Sequence, residues 1–558
     1  MALAQRNRAS KVKYLSQQQL VLEGFETPFE QKLDARNRWV ILAQRLPWDM
    51  LVGVYAQQMH NSRTGAEGIN PRVVLGAIII KHICDLSDRE TVLQIQENMY
   101  MQYFLGYSSY CNQVPFDPSL FVDFRTRLGA DQINMINEKI IQIIGLQNNP
   151  NGEEINLKAT DVEDNGQQLP DSGEKDTLNS TDIETPVRIM NTEQHIALNE
   201  TQEQYKAEDL QNPKTIKEPG PRGKMITDAT VSPQDIAYPT DLNLLNEARE
   251  KSDELIDILY SISQLKSRPR THRRKARKDY LRTAQKKSKT NKEIRKALRK
   301  QLNYLKRNLK IIDNLLDEYS YIPLDKYQLK YLFVIKTLYD QQLEMYENKV
   351  HTIEHRIVNI HQPHVRPIVR GKATAKVEFG AKIQVSIMQG YAFLDVISWD
   401  AFNEGTRLID SVELYKRRFG YYPAEVFVDK IYCTRANRSQ LKDKGIELIA
   451  KPLGRPKAVP NHISPGARNP IEGKFGQAKT AYGMNRIKAR LKNTSEAWIA
   501  SIIMVLNLVK LAGEVPYFLY QTLTDIFYFS LCRFEYTFKP SYIKNNLFVN
   551  PVNLSSRP

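Results

Sequence analysis

The sequence predicts an α/β protein in which a mixed sheet is interrupted by a large helical insertion and preceded by an all-α N-terminal domain. Three observations predict it: helical apolar spacing before residue 150, short strand-like runs alternating with helical segments after residue 222, and a sharp reversal of charge along the chain. Asn151–Gly220 carries 16 acidic and 6 basic residues, a net of −10, so the other 488 of the 558 residues carry +26. That segment has few aromatics and no sustained period, the composition of a linker that cannot bury enough surface to order itself. The expected division is a helical domain over 1–150, an acidic linker over 151–221 and a sheet domain over 222–240 and 370–515. A basic helical insertion over 241–369 and a C-terminal tail over 516–558 complete it.

In chain order, NPRVVLGAIIIKHICDL predicts a helix opened by Asn70 with Pro71 at its first position. SDRETVLQIQENMYMQYFLGY predicts a second, with Ser87 as N-cap and Glu90 three residues on. The short Asp85–Leu86–Ser87 connection makes a helix-turn-helix-like pair, a pattern that DNA-binding modules share with plain helical bundles. PSLFVDFRTRL predicts a third helix, with Arg125 and Arg127 on an otherwise apolar segment. After the acidic segment, Gly223–Val231 reads as a short strand ending in Asp228, and Leu242 begins a helix. Within Lys266–Lys310, 20 Lys and Arg stand against Asp279 and Glu293. There Ile294, Leu298, Leu302, Leu305, Leu309 and Ile312 recur at helical spacing, which predicts one long helix, apolar on one stripe and basic elsewhere. Lys376–Ile387 and Ala392–Ser398 read as hairpin strands around the turn Gln389–Gly390. A helix over 407–419, strands over Ala424–Asp429 and Ile446–Ala450, a basic loop rich in Pro and Gly, and helices from Pro470 and from about Ser495 follow.

The net charge of +16 and pI near 9.3 favour a polyanion partner, because Lys and Arg that neutralise phosphates gain affinity by counterion release. The basic tract holding Arg273, Arg274, Lys275 and Arg277 is its densest part; a solvated charged face is the plainer reading of such a run. A membrane-surface helix would want a broader apolar face with interfacial Trp or Phe. The four cysteines form no CxxC pair, which argues against a zinc ribbon or disulfide framework and fits a reducing cytoplasm. The N-terminus lacks a secretory apolar region, so a cytoplasmic protein is expected. The longest apolar run, Trp498–Tyr520, carries Asn507, Lys510, Glu514 and Pro516, and reads as a buried core helix rather than a membrane span.

Asp228 and Asp429 at the ends of strands, and Glu472 on a following helix, can converge at one edge of a mixed sheet. Three oxygen donors suit magnesium, and two such ions about 4 Å apart serve phosphodiester chemistry. Each acid also has a plainer reading. Asp228 could be a turn former. Asp429 could be half of a surface ion pair. Glu472 could close a capping box with Asn469 as N-cap and Pro470 at the first helical position. Asp235, Asp241, Asp395 and Asp400 are competing acids, with Asp241 read as a helix cap. Trp399 reads as core, with stacking on an unpaired base as its alternative.

At these residues the chain resembles the bacterial insertion-sequence DDE transposases, whose catalytic domain is RNase H-like. The resemblance rests on Asp228–Ala229–Thr230 with YPTDLNLLNEAR downstream, on VFVDKIYCTRANR around Asp429, and on RNPIEGKFGQAKTAYGMNRIKARL. Within the last, Arg468, Glu472 and Lys479 keep the R-x3-E-x6-K spacing of that superfamily's signature. Pro465 stands where the signature has tyrosine. The DRETVLQIQENMYMQYFLGY segment is similar too. The resemblance implies Asp228, Asp429 and Glu472 as metal-holding catalytic acids for magnesium, with manganese as a substitute, and Arg468 and Lys479 as DNA contacts. It implies end cleavage that releases a 3′-hydroxyl, strand transfer to target DNA, double-stranded DNA as partner, and a homodimer in the synaptic complex of a nucleoid-associated protein. A nuclease without strand transfer and a DNA-binding protein without catalysis are the rival expectations.

Overall fold

The computed structural model describes residues 32–56, 68–148, 220–369, 377–450 and 466–514. The acidic linker up to residue 219, the basic loop over 451–465 and the expected tail over 516–558 lie outside them.

The N-terminal part is helical: α1 (Arg38–Arg45), α2 (Trp48–Ala56), α3 (Pro71–Ile83), α4 (Asp88–Glu97), α5 (Met99–Phe104) and α6 (Leu120–Asn148), the last broken at Gly129. Asn70 caps α3 by accepting from the Arg72 N–H, and Ser87 caps α4 by accepting from the Glu90 N–H, as the sequence predicts. The first helix of the helix-turn-helix-like pair is core: every residue of α3 from Pro71 to His82 is buried, whereas α4 keeps Arg89, Glu90 and Leu93 exposed. Arg125 is likewise an internal brace, bidentate to Asp88 at 3.0 and 2.9 Å. Lys81 joins it, 2.9 Å from Asp88 and 4.4 Å from the Trp498 ring centroid.

Burial lowers the Lys81 ammonium to about 8, against the pull of Asp88. The unfolded chain therefore keeps a proton that the folded chain releases between pH about 8 and 10.5, so the Lys81 contribution to stability rises with pH across that window. Denaturant midpoints taken below and inside the window are expected to show this rise in the wild type and to lose it in Lys81→Met.

The sheet has strands β1 (Lys224–Pro233), β2 (Arg366–Val369), β3 (Val377–Met388), β4 (Tyr391–Ser398), β5 (Glu425–Phe427) and β6 (Glu447–Ile449). Its order is β2-β3-β1-β5-β6, with β4 also paired to β3. β1, β2 and β4 run antiparallel to β3, and β5 and β6 run parallel to β1. Gln389 and Gly390 turn the β3–β4 hairpin with φ of 49° and 78°, the two left-handed positions of a tight hairpin. α7 (Asp241–Ile262), α8 (Arg273–Ala284), α9 (Asn291–Leu316) and α10 (Lys326–Asn348) lie between β1 and β2. α11 (Leu408–Phe419), α12 (Arg435–Asp443), α13 (Asn469–Thr480) and α14 (Lys492–Glu514) follow β4. The expected α/β class with a mixed sheet and a helical insertion is therefore present.

Two details of the insertion differ from expectation. The single basic helix is two, because Thr290 and Glu293 form a capping box that starts α9 afresh after α8 ends at Ala284. Thr240, not Asp241, caps α7; Asp241 is its first residue and pairs with Arg356 at 2.6 Å. The apolar stripe of α9 holds: Leu302, Leu305, Leu309 and Ile312 are buried with residues of α7 and α10 in a core of their own.

The described residues before 145 and after 219 form one compact unit. Buried polar groups tie the N-terminal helices to the sheet. Asn507 of α14 donates to Ala392 O and to Asn137 Oδ1, and accepts from the Ala392 N–H. This accounts for a polar residue inside the apolar run. α14 is long and apolar enough to cross a membrane by length and composition, but 83% of its apolar window is buried against α1, α3, α13 and β4. Cys84, Cys111 and Cys433 are free.

Candidate active site

The parallel register of β1 on β5 pairs Lys224 with Glu425, Met225 with Val426 and Ile226 with Phe427. Two residues beyond the last pair, along each segment, stand Asp228 and Asp429. Neighbouring strands lie about 4.8 Å apart, so this register sets the two carboxylates side by side. One guanidinium reaches both: Arg468 Nη2 is 2.7 Å from Asp228 Oδ2, and Nη1 is 3.3 Å from Asp429 Oδ1.

The local placement of the two acids departs from expectation. Asp228 lies within its strand, opposite Val385, because antiparallel β3 holds β1 as far as Pro233. β5 has only short parallel partners and stops at Phe427, so Asp429 lies past the strand and caps a single 3-10 turn, Lys430–Tyr432. Each carboxylate accepts from the next backbone N–H, Ala229 and Lys430, at 2.8 Å.

Burial pushes the Asp228 carboxyl above its ordinary value. The Ala229 N–H and Arg468 pull it down, while Glu404 and Asp429 add to the rise. Glu404, in the 3-10 turn Glu404–Arg407, is an acid that sequence reasoning missed; it pairs with Lys382 at 2.9 Å. Asn437 locks its turn to that of Asp429 by donating to Gly405 O at 2.7 Å and Tyr432 O at 2.8 Å. No periodicity marks Glu404, since a loop acid carries no pattern until the loop is folded against the sheet. Tyr432 was also missed. It is fully buried, its hydroxyl has no hydrogen-bond partner among the described residues, and burial together with Asp228 and Glu404 raises it. Because a buried hydroxyl without a partner costs about 1–3 kcal/mol, Tyr432→Phe is expected to raise stability by about 1 kcal/mol in denaturant melts. A loss of stability would show that the hydroxyl is satisfied in solution.

Glu472 is exposed in the first turn of α13, which lies against β1 and β3, with Ile471 and Ala478 buried. The capping box does not form. Arg468 occupies the N-cap position in a helical conformation without a side-chain cap, and Asn469 and Pro470 are already helical, so Glu472 is the fourth helical residue. Arg468 is thereby anchored beside the two aspartates rather than open to solvent. Lys479 lies two turns past Glu472 and is half-buried.

The competing acids are engaged elsewhere. Asp395 is buried against Arg418, Asp400 lies 3.5 Å from both His355 and Arg366, Asp235 pairs with Arg486, and Asp241 with Arg356. Trp399 is core: it is buried, donates to Glu496 at 2.8 Å, and meets the His364 ring edge to face at 4.3 Å. In α8, Arg273 is bound by both oxygens of Asp257, at 2.8 and 3.0 Å, whereas Arg274, Lys275 and Arg277 are exposed.

The donor set is all oxygen, the choice of a hard divalent cation, and a cationic group already stands between the two aspartates. Among the described residues no three His, Cys, Asp or Glu side chains are grouped to hold a metal. The pair fits a cation, and Glu472 is not drawn into a three-donor cluster with it.

Two segments match known families. Residues 27–127 match the model "Transposase domain (DUF772)", and residues 426–509 match "Transposase DDE domain". The second match holds Asp429, Arg468, Glu472 and Lys479; Asp228 lies outside both. The chain is 32% identical over 108 residues to "Uncharacterized protein ORF8 in nfe locus" of Rhizobium meliloti, a stretch covering 18% of this chain and 50% of that protein. The chain thus spans about half the length of the curated relative it matches. No solved structure matches.

Proposed function

Since the chain belongs to the insertion-sequence DDE transposases, we propose that it binds the ends of its element and catalyses phosphodiester cleavage and strand transfer there. The observation that carries this reading is the register that puts Asp228 and Asp429 two residues past the same parallel pair and under one guanidinium. A meander of antiparallel strands followed by two parallel strands reached through helices supports an RNase H-like catalytic domain.

In this reading Asp228, Asp429 and Glu472 would hold magnesium, or manganese in its place, and the ion would supply positive charge for phosphodiester chemistry. Arg468 exchanges its carboxylate partners for oxygens of the scissile phosphate, which its planar fork can bind two at a time. Lys479 adds a phosphate contact along the same helix. Water is the first nucleophile, and the 3′-hydroxyl it releases is the second; no covalent protein–DNA bond is needed. The partner is double-stranded DNA, both element ends and target, bound by a homodimer in the cytoplasm. Arg274, Lys275 and Arg277 contact phosphates, so exchanging all three for Gln should reduce the salt slope of binding by about 2–3, at roughly 0.9 per contact. An unchanged slope would leave this face to solvent.

The test is to offer the full chain pre-cut ends, a target plasmid and magnesium. Joined products support a transposase. Nicked target without joining supports a nuclease, and binding without either supports a decayed copy.

A further inference from the structure

We propose that a ledge of aromatic and basic side chains, built where the helical insertion meets the segment after α13, holds a single strand of DNA by base stacking. The proposal rests on the reading of the chain as DNA-acting and adds to it a site apart from the carboxylates and from the basic face of α8.

The rings of Tyr327 and Tyr331, on α10, lie 4.8 Å apart at 75°. Lys251 of α7 sits 4.9 Å from the Tyr331 centroid and 5.8 Å from that of Tyr327. The Tyr331 hydroxyl is 2.8 Å from His361 Nδ1, and Tyr327 donates to the Tyr331 hydroxyl at 3.3 Å. Tyr327 is 59% exposed and offers the open ring, Tyr331 beside it is buried at 3%, and Lys330, His361 and Arg490 are exposed around them. Burial first, then Lys251 and Arg490, lower the proton affinity of His361, which keeps its ring neutral at physiological pH. The acids of this neighbourhood are Glu254, which pairs with Lys251, and Asp325, which caps α10.

A solvated basic face has no use for an exposed aromatic body. Rings interleaved with cations suit bases and phosphates together, because stacking needs only a π-face and the cations follow the backbone. A duplex hides its base faces and a single strand shows them, so the ledge fits the latter. Its position agrees. Ile487 bridges to Gln234, and its N–H donates to Pro233 O at 2.9 Å, which ties the segment carrying Arg490 to the end of β1. Asp228 is five residues back along that strand, about 16 Å at strand rise. The segment carrying Arg490 thus lies past the end of β1, beyond Asp228 along the strand.

The experiment measures, in chelator so that cleavage plays no part, binding of the full chain to a labelled single strand of roughly 16 nucleotides and to the duplex of the same sequence. Tyr327→Ala is expected to weaken single-strand binding by about 5- to 100-fold and leave duplex binding unchanged, as loss of one stacked base implies. Tyr327→Phe should bind like the wild type, and Arg490→Gln should weaken single-strand binding with a smaller salt slope. Unchanged single-strand binding in Tyr327→Ala, or an equal loss for both DNAs, would overturn the proposal. Because Tyr327 is exposed, the variants should keep the wild-type denaturant midpoint. A chain that passes this test yet neither cuts nor joins ends would keep the ledge and lose the transposase reading.

Discussion

Asp429→Ala should lower end cleavage on the order of 10³-fold or more while DNA binding stays at the wild-type level, since several kcal/mol of transition-state charge stabilisation goes with the carboxylate. Half-exposed, Asp429 stabilises the fold through one turn cap and one 3.3 Å contact with Arg468, so its removal should cost little stability. Asp228→Ala should lose cleavage to the same degree. Burial already disfavours the charged form of Asp228, so its removal should not unfold the chain. Gel shifts on an end-bearing duplex beside cleavage of the same duplex in magnesium separate the two effects. Loss of both together would mean that the aspartates support the fold and not the chemistry.

Arg418→Met should destabilise the protein by about 3–5 kcal/mol, the cost of leaving a buried charge without its partner. Arg418 of α11 is 2.6 Å from both Asp395 of β4 and Glu138 of α6, and the Asp395 side chain is completely shielded from water. The arginine thus joins the N-terminal helices to the sheet through one buried cation. Removing it leaves Asp395 with the hydroxyls of Ser386, at 3.1 Å, and Ser411 as hydrogen-bond partners. The double variant Arg418→Met with Asp395→Leu should recover much of the loss, because a buried pair replaced by apolar groups of similar volume is often neutral. Urea midpoints of the single and double variants give the coupling. A single variant as stable as the wild type would contradict the role of the pair.

Most of the fold could be read from local patterns. Asn70 and Ser87 start their helices as expected, the Gln389–Gly390 turn closes its hairpin, and the α9 stripe is buried residue for residue from Leu302 to Ile312. β2 escaped because four residues, Arg366–Val369, hold no usable period; only pairing with β3 makes them a strand. The role of Arg125 was not legible for the same reason that Glu404 was invisible: its partner Asp88 is 37 residues away in sequence and only the fold supplies it. The acids of the candidate site were readable from spacing and resemblance. Their arrangement was not, because it depends on a parallel register between residues 201 positions apart and on an arginine from a third element.

The most direct measurement replaces magnesium by ferrous iron and maps where ascorbate and peroxide cut the polypeptide backbone. If Asp228, Asp429 and Glu472 hold one metal site, cuts should cluster at the middle of β1, just past β5 and at the start of α13, fade with excess magnesium, and vanish in Asp429→Ala. Cuts at other segments, or cuts that persist in Asp429→Ala, would contradict a shared metal site built on these three acids.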